Sequence, residues 1–488
     1  MSRRLAVGAL TLLAAGCAVG PSYHEPPVAP AGAAVGIAPA SDSIRSFYDS
    51  LAAASDSFRT AELGPPATLD RDSPDVAWLE VLRDTTLLSL VRAAVTENRD
   101  VRTAAARIRE FRAELGVARS DLFPEVTANA SASTNQIAIG AFEPQSYDAL
   151  RVTADLAWEL DFWGRARRGV QAARADLGAE EADYRATLLT LVGDVSQAYL
   201  AVLELRQEEQ IAERTLASRR STLELARERF RSGVISELDV RQFEAEAAVP
   251  AASLAQARRL RAEREHQLAT LVGRLPFRVE SGADLSTAVR RLEVPDSIPA
   301  TMLARRPDVR SAERAYAAAT ARVGVAEAAR YPRVSITGYY GTQSPNTDRL
   351  FGGNAEVYQL QGGVSIPLFT GGRLANQARA AQARAEQARL GFEQTVLEAF
   401  REASDALVGV RTARDQRSAQ ENQVRSLRKA AELADLRYRG GVASYLEVLD
   451  AQRQLFSAEL GLSQSQLLEL NSVVLLYRAL GGSWETGE

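Results

Sequence analysis

The chain is built from a two-fold internal repeat with an offset of 208 residues. Leu225–Val240 and Leu433–Val448 are identical at nine of their sixteen positions, and both contain the same turn between helical patterns. Gly116 aligns with Gly324 at this offset, and no gap is needed anywhere over Asp100–Gly273. Length alone predicts about three domains. The repeat instead predicts two copies of one folding unit, because self-similarity at a fixed period marks a duplicated supersecondary structure.

The same order of secondary-structure elements is predicted for both copies of the repeat. A helix of about twenty residues ends before Pro124 or Pro332, because proline cannot continue a helix. Two strand-like runs follow, and then an uninterrupted helical pattern from Arg165 to Phe230, repeated from Arg373 to Tyr438. A turn and a return helix complete the unit. At 1.5 Å per residue, each long pattern predicts a rod of about 100 Å.

The long helical pattern has the apolar spacing of a coiled coil. A helix of this length cannot be covered by a globular core, so it must pack along other helices. The turn is therefore the tip of a hairpin far from the rest of the chain, a position suited to contact with a partner. The apolar positions are Val170, Leu177, Tyr184, Leu188, Leu191, Val195 and Tyr199.

The strand-like runs alternate between apolar and polar residues. The pattern is strict from Leu150 to Phe162, and its repeat mate keeps the same parity from Leu360 to Leu368. A soluble β-sandwich also gives alternation, so the pattern alone favours membrane and soluble readings equally. Runs of about 13 residues nevertheless exceed the usual five or six and are long enough for a tilted membrane crossing.

Lipid adds a constraint on the number of strands. An open sheet edge cannot face hydrocarbon, because every backbone N–H and C=O there must be paired. Four strands per chain cannot close a barrel, whereas three copies give twelve, within the known range. We therefore predict a mainly α fold with transmembrane β-structure: a trimeric 12-stranded β-barrel continued by a long α-helical coiled-coil barrel.

The N-terminus has the features of a secretory signal. Met1–Gly16 combines two arginines, a short apolar run and small residues before Cys17, and the run is too short to span a bilayer as a helix. "LAAGC" also resembles a bacterial lipobox, in which the cysteine is lipidated after cleavage, although Ala14 stands where a leucine is usual. Ordinary secretory cleavage beside an incidental thiol is the alternative. A lone cysteine at the junction favours lipid, and Ala18 in place of an aspartate favours the outer membrane.

Composition excludes several function classes. Charged residues make up 25% of the chain and the net charge is −4, a balance that disfavours a nucleic-acid surface. With only His24, His266 and Cys17, no metal cluster, disulfide framework or Cys/His pair can be assembled. We therefore predict no enzymatic activity, no cofactor and no nucleic-acid partner.

Several stretches together identify a resemblance that runs along essentially the whole chain. The chain resembles the TolC-like outer-membrane efflux proteins, and closely the lipoprotein branch typified by OprM and NodT. The stretches are "GCAVGPSYHEPP" at the mature start, "IPATMLARRPDVR" from Ile298, "RYPRVSITGYYG" from Arg330, "SIPLFTGGR" from Ser365 and "YRGGVASYLEVLDAQRQL" from Tyr438.

The resemblance implies a homotrimer anchored in the outer membrane and extending into the periplasm, lipidated on Cys17. It implies a passive exit duct for substrates, drugs among them, delivered by an inner-membrane transporter of the RND type through a periplasmic adaptor. The alternative is a structural coiled-coil envelope lipoprotein without a pore. The implied segments are a signal peptide at 1–16, a lipidated extended or equatorial segment at 17–75, repeats at 76–274 and 306–481, an equatorial linker at 275–305 and a tail at 482–488.

The resemblance also assigns the hairpin tips to adaptor contact. Glycine and serine suit any reversing helix end, because glycine tolerates positive φ and serine caps the next helix. A purely structural role is therefore the alternative reading of these positions. The tip residues are Gly233, Val234, Ile235 and Ser236 in the first repeat, and Gly441, Val442, Ala443 and Ser444 in the second.

A periplasmic gate is implied at the second hairpin. Glu447 and Asp450 are three residues apart and so share one helix face; a trimer would gather six such carboxylates, attract cations and raise the pKa of some of them by repulsion. Tyr438 matches a residue that family members use near the constriction. Ala443 stands where some relatives carry a locking arginine, so that lock is not expected here. The first repeat has Asp239 and Gln242 at the matching places.

Overall fold

The structure is a computed structural model that describes residues 19–24, 26, 34–35, 84–137, 145–280, 284–286, 298–440 and 442–482. The predicted signal peptide, the lipidation site Cys17 and the tip residue Gly441 lie outside the described residues. The first repeat contains α1 (Thr85–Glu97), α2 (Arg99–Ser120), β2 (Glu125–Ile137), β3 (Gln145–Leu160), α3 (Arg165–Arg231) and α4 (Glu237–Val272).

A linker precedes the second repeat, which has the same order of elements as the first. A short strand β1 (Ala34–Val35) pairs antiparallel with β4 (Ile298–Pro299), which joins the N-terminal segment to the linker between the repeats. A 3₁₀ turn at Ala300–Arg305 then leads into the second copy. Its elements are α5 (Pro307–Ala328), β5 (Arg333–Ser344), β6 (Glu356–Ser365), α6 (Arg373–Arg439) and α7 (Tyr445–Ala479).

The predicted long helices are confirmed. Both α3 and α6 contain 67 residues, which corresponds to about 100 Å each. The coiled-coil positions listed above are buried in α3, with Tyr184 partly buried. One stretch of α3 is apolar enough to cross a membrane by length and composition, but 61% of it is buried inside the protein. We therefore assign that stretch to the core.

The helices are arranged at two levels along the rods. At one level α2 and α5 pack against α3, and α6 packs beside α5; at the other level α4 and α7 pack against α3, and α6 packs beside α7. Each shorter helix therefore continues another end to end. Asn98 at the start of α2 donates to the Leu271 carbonyl at 2.9 Å, and Arg306 at the start of α5 donates to the Ala479 carbonyl at 2.9 Å. These contacts are repeat mates, so both copies use the same joint.

Gly273 makes the first of these joints possible. Its φ is 83°, and a Cβ there would lie 2.6 Å from the Glu97 carbonyl oxygen. We expect Gly273→Ala to destabilise the protein by about 1–3 kcal/mol through backbone strain, measured as a lower melting temperature of the purified protein by circular dichroism. Gly116→Ala is the control, because its Cβ meets nothing within 4 Å and alanine favours a helix interior. Equal melting temperatures for the two variants would contradict this assignment.

The four long strands form one antiparallel sheet in the order β2-β3-β5-β6. The register aligns Val126 with Leu156, Leu156 with Gly338 and Gly338 with Leu360, so the apolar parity predicted from sequence forms one continuous face. That face is open to solvent in a single chain: Val126 is 65% and Leu360 75% exposed. A face of this kind fits lipid better than water.

The opposite face of the sheet is polar. Asn129 donates to the Asp155 carboxylate at 2.7 Å, and the Arg151 guanidinium lies 3.9 Å from the centre of the Tyr339 ring. The strands contain 13, 16, 12 and 10 residues in chain order. The expectation that the last alternating run extends to Leu368 is wrong, since β6 ends at Ser365 and Pro367 has no N–H for the ladder.

The main apolar core lies where the two helical levels meet. It gathers α1, the middle of α3 and α6, the end of α7 and the linker residue Leu303, with Tyr199 and Tyr477 fully buried. The Tyr199 hydroxyl donates to Asp84, which also caps the start of α1. This core ties the two repeats together near their centre, and the hairpins α3–α4 and α6–α7 project from it.

Candidate functional site

The first hairpin tip is a tight helix reversal. Ser232 follows α3 as its C-terminal cap, and Gly233 adopts a φ of 73° that favours glycine. Ser236 caps α4 in a capping box with Asp239, which accepts from the Ser236 N–H at 2.9 Å. Val234 remains 69% exposed at the point of the tip. The glycine and serine therefore have the structural role expected of them, while the valine makes no comparable contribution to the fold.

The second tip has a similar turn with different capping. Gly440 follows α6 as its C-terminal cap. The Val442 N–H donates to the Arg437 carbonyl at 3.0 Å, as the Val234 N–H does to the Arg229 carbonyl at 2.9 Å. Ser444 stands at the cap position of α7 but makes no capping side-chain hydrogen bond. Val442 is 70% exposed. Both tips thus present an exposed valine beside a polar cap.

Aromatic contacts join the two tips of one chain. The Tyr445 ring lies 4.1 Å from the Phe243 ring and 5.1 Å from the Tyr438 ring, measured between centroids. Arg229 donates to the Tyr438 hydroxyl. Burial raises the pKa of Tyr445, and the neighbouring Tyr438 adds to this effect. The predicted gate residue Tyr438 is therefore part of a contact between the first and second hairpins.

A buried ion-pair cluster lies next to these rings, on the side away from the tips. Arg219 of α3 donates to the Glu246 carboxylate of α4 at 2.6 Å, and Arg453 of α7 contacts the same carboxylate. Arg219 and Glu246 are only 4% and 5% exposed. Burial lowers the pKa of Arg219, and the Glu246 charge opposes that shift. Three helices from both repeats thus converge on one carboxylate.

The predicted gate acids lie on the same end of α7 but outside this cluster. Glu447 is 3.7 Å from Arg437, and its side chain is 52% exposed. Asp450 accepts from Gln454 at 2.8 Å. Both carboxylates are accessible in a single chain. The matching acid of the first repeat, Asp239, is engaged in its capping box, so the two hairpins differ chemically at this level.

Sequence reasoning missed the buried cluster. Comparison of repeat mates contains a signal for it: Arg219 is matched by Leu427, Glu246 by Gln454, and Arg453 by Ala245. Each member of the cluster is charged in one repeat only. This asymmetry indicates that the second hairpin does not repeat the internal packing of the first at this level, where Arg453 of the second hairpin contacts Glu246 of the first.

Comparison with known proteins agrees with this architecture. The model of the family described as outer membrane efflux protein matches residues 90–274 and 298–482, one match for each repeat. Among curated proteins, the chain is 33% identical over 435 residues to the probable efflux pump outer membrane protein TtgC of Pseudomonas putida. That alignment covers 87% of this chain and 90% of the relative.

Solved structures show the same fold. The outer-membrane channel OprN matches with a TM-score of 0.81 and 30% identity, covering 96% of this chain and all of that one. The open state of the MtrE outer membrane channel of Neisseria gonorrhoeae matches with a TM-score of 0.79 and 27% identity, covering 96% and 98%. These channels combine a β-barrel with an α-helical barrel, which confirms the fold class predicted from the repeat.

Proposed function

The chain belongs to the outer membrane efflux protein family, and from this premise we propose that it is the exit duct of a tripartite efflux pump. It resides in the outer membrane, and its family is one of channels rather than enzymes. Three copies form the duct, which passes substrates delivered by an inner-membrane transporter, of the RND type, through a periplasmic adaptor. Cys17 carries the lipid anchor.

The unsatisfied sheet edges carry this proposal. Among the described residues, β2 and β6 each pair with a strand on one side only, and the sheet presents a continuous apolar face. Lipid does not tolerate open edges, so β6 of one subunit must pair with β2 of the next until the barrel closes. The long helices continue directly from the strand ends, which extends the same cylinder into the periplasm.

A conduction measurement separates the duct from a coiled-coil spacer without a pore. Purified protein reconstituted into liposomes should allow small sugars to enter and the vesicles to swell. Liposomes containing protein with a truncated β5–β6 hairpin are the control. A trimeric, correctly inserted protein that gives no swelling and no current would favour the spacer.

We assign the hairpin tips to adaptor contact and the second hairpin to the gate. The exposed valines Val234 and Val442 support the contact role, because neither is needed for the turn in which it lies. The aromatic and ionic contacts between hairpins support the gate role, because separating the hairpins requires these contacts to break. Tyr438, Glu447 and Asp450 belong to this gate.

The gate acids have a measurable consequence for ion flow. We expect Glu447→Ala combined with Asp450→Ala to weaken block by divalent cations and raise conductance in a planar bilayer, because a ring of six carboxylates attracts cations at the constriction. Glu224→Ala, an exposed acid on α3 farther from the tip, is the matched control. Unchanged block and conductance in the double variant would remove these acids from the gate.

A further inference from the structure

The contact between α3 of the first hairpin and α7 of the second has two apolar clusters with a polar stretch between them. The main core includes Leu203 of α3 and Leu470 of α7, and a second apolar cluster nearer the tip includes Ile211 of α3 and Phe456 of α7. Between these clusters, polar side chains of the two helices contact each other: Gln207 is hydrogen-bonded to Gln466, and Glu208 to Gln464. We call this polar stretch, Glu204–Glu208 of α3 facing Ser463–Gln466 of α7, the seam.

Glu204 is the most unusual side chain of the seam. It is only 5% exposed, and its carboxylate oxygen Oε1 is buried without a hydrogen-bond partner among the described residues. Glu208 lies one helical turn further along the same face. A buried carboxylate with an unpaired oxygen is unfavourable when ionised, because both desolvation and the second carboxylate oppose the charge.

The groups that face this pair from α7 are uncharged. Ser463 donates to the Glu204 carbonyl at 3.5 Å, and Gln464 donates to the Glu208 carboxylate at 3.1 Å. Gln207 donates to Gln466 at 3.0 Å across the same contact. None of these side chains can neutralise a carboxylate.

The nearby charges on the other helices are engaged elsewhere. Arg261 of α4 contacts Glu209, on a different side of α3, and also lies 4.0 Å from Glu265. Arg414 and Arg417 of α6 both contact Glu469 of α7. These arginines of α4 and α6 are therefore paired with other acids, and Arg206 of the seam itself is not among the groups that shift the pKa of Glu204. The ligand that suits the Glu204 carboxylate is therefore a proton.

We propose that Glu204 and Glu208 form a proton-binding site that keeps the seam closed, and that loss of its proton favours separation of α7 from α3. The protonated Glu204 carboxyl removes a buried charge and can donate to its neighbour. The deprotonated pair places two like charges close together, and the charge on Glu204 is shielded from water. Water can hydrate that charge only by entering between the helices. The site thus makes the stiffness of the hairpin contact depend on pH.

The direction of the pH effect follows from the pKa of Glu204. Burial is the main cause and the neighbouring Glu208 the second; together they raise this pKa to about 8, against a smaller opposite effect of Ser463. A closed seam therefore binds the proton more tightly than an opened, hydrated one. Its advantage is complete below the ordinary carboxyl pKa and declines as the pH rises through about 8.

The second repeat lacks this site. The mates of Glu204 and Glu208 are Thr412 and Gln416, so the pair is unique to the contact of α3 with α7. The site lies about 40 Å along α3 from the tip, which separates it from the carboxylates of Glu447 and Asp450. The seam can therefore be altered by substitution without changing the gate residues.

The test uses full-length trimers in lipid and follows the proton directly. Infrared difference spectra of the wild type should lose a protonated-carboxyl band as the pH is raised through about 8, and Glu204→Gln should remove that band. Glu208→Gln should move its midpoint to lower pH, because it deletes the charge that raises the pKa of Glu204. This measurement does not depend on conduction, so it stands even if the proposed duct does not.

The consequence for opening is measured in planar bilayers. The ratio of open to closed channels should rise by up to roughly tenfold per pH unit below the midpoint in the wild type, and this part of the pH dependence should be absent in Glu204→Gln. Glu224→Gln, with the same charge change at an exposed site of α3, should behave as the wild type. A band that persists in Glu204→Gln, or identical opening profiles in wild type and Glu204→Gln, would overturn the proposal.

Discussion

Glu246→Ala is expected to release the second hairpin from the first and leave the channel leaky. The substitution removes the only carboxylate that Arg219 contacts within the described part of the chain, and Arg219 is almost fully buried. Breaking a buried ion pair from one side destabilises it by about 3–5 kcal/mol, because the remaining charge is left unpaired. We expect higher basal conductance in planar bilayers and greater sensitivity of cells to large antibiotics that the closed duct excludes.

A matched control lies two residues away. Glu244 also forms ion pairs, with Arg227 and Arg241, but on the exposed side of α4. Because exposed pairs contribute little to stability, Glu244→Ala should leave conductance and sensitivity near the wild-type values. If Glu244→Ala and Glu246→Ala leak equally, the effect would come from a general loss of negative charge and not from the buried contact.

A rescue variant tests the same contact in the opposite direction. Combining Arg219→Leu with Glu246→Leu removes both charges and leaves no unpaired ion in the core, and apolar replacement of a buried pair is often neutral or stabilising. The repeat mate of Arg219 is already leucine, so an equivalent position of this helix packing accepts that side chain. The double variant should restore a closed channel. A leak equal to that of Glu246→Ala would contradict the role of the ion-pair cluster in holding the two hairpins together.

Val234→Glu combined with Val442→Glu is expected to abolish export without disturbing the trimer. Both valines are about 70% exposed at the tips, so glutamate should be tolerated by the fold. A charge placed in an apolar contact between two proteins must be desolvated on binding, which disfavours docking. The measurement is the minimal inhibitory concentration of exported drugs, together with crosslinking of the tips to a co-expressed adaptor.

The control for this prediction places the same charge at a distance from the tips. Leu275 is 87% exposed just beyond the end of α4, at the opposite end of the hairpin. Leu275→Glu should retain export and crosslinking, and all variants should run as trimers with wild-type conductance. Full drug resistance in the Val234→Glu, Val442→Glu variant would exclude the tips as the coupling surface.

Local patterns accounted for most of the secondary structure. The length of α3 and α6 follows from an apolar period that continues for 67 residues without a proline, and the two faces of the sheet follow from strict alternation in β3. These features are readable because helix and strand periods are set by each residue's near neighbours. The end of β6 was misjudged because side-chain alternation continues past the point where backbone pairing stops.

The candidate site was only partly predictable. The turn and cap roles of Gly233 and Ser236 could be predicted because turn and cap chemistry are local, whereas a gate role for Glu447 and Asp450 was predicted only through family resemblance and stays a prediction. The pairing of Tyr438 with Arg229 and of Glu246 with Arg453 joins residues 209 and 207 positions apart. The offset of 208 brings near-equivalent points of the two hairpins together, but it does not say which side chains meet there.

By itself, the sequence determined that this chain is a duplicated unit with strands too few to close and helices too long for a globular core. Both conclusions depend on the spacing of apolar residues and on the number of strands, which can be read from the sequence without coordinates. Only the tertiary structure decided that α3 contacts α7 through a polar seam, and that Arg219, Glu246 and Arg453 share one buried cluster. A helix has several faces with similar composition, and which face meets another helix depends on how all of the helices pack at once.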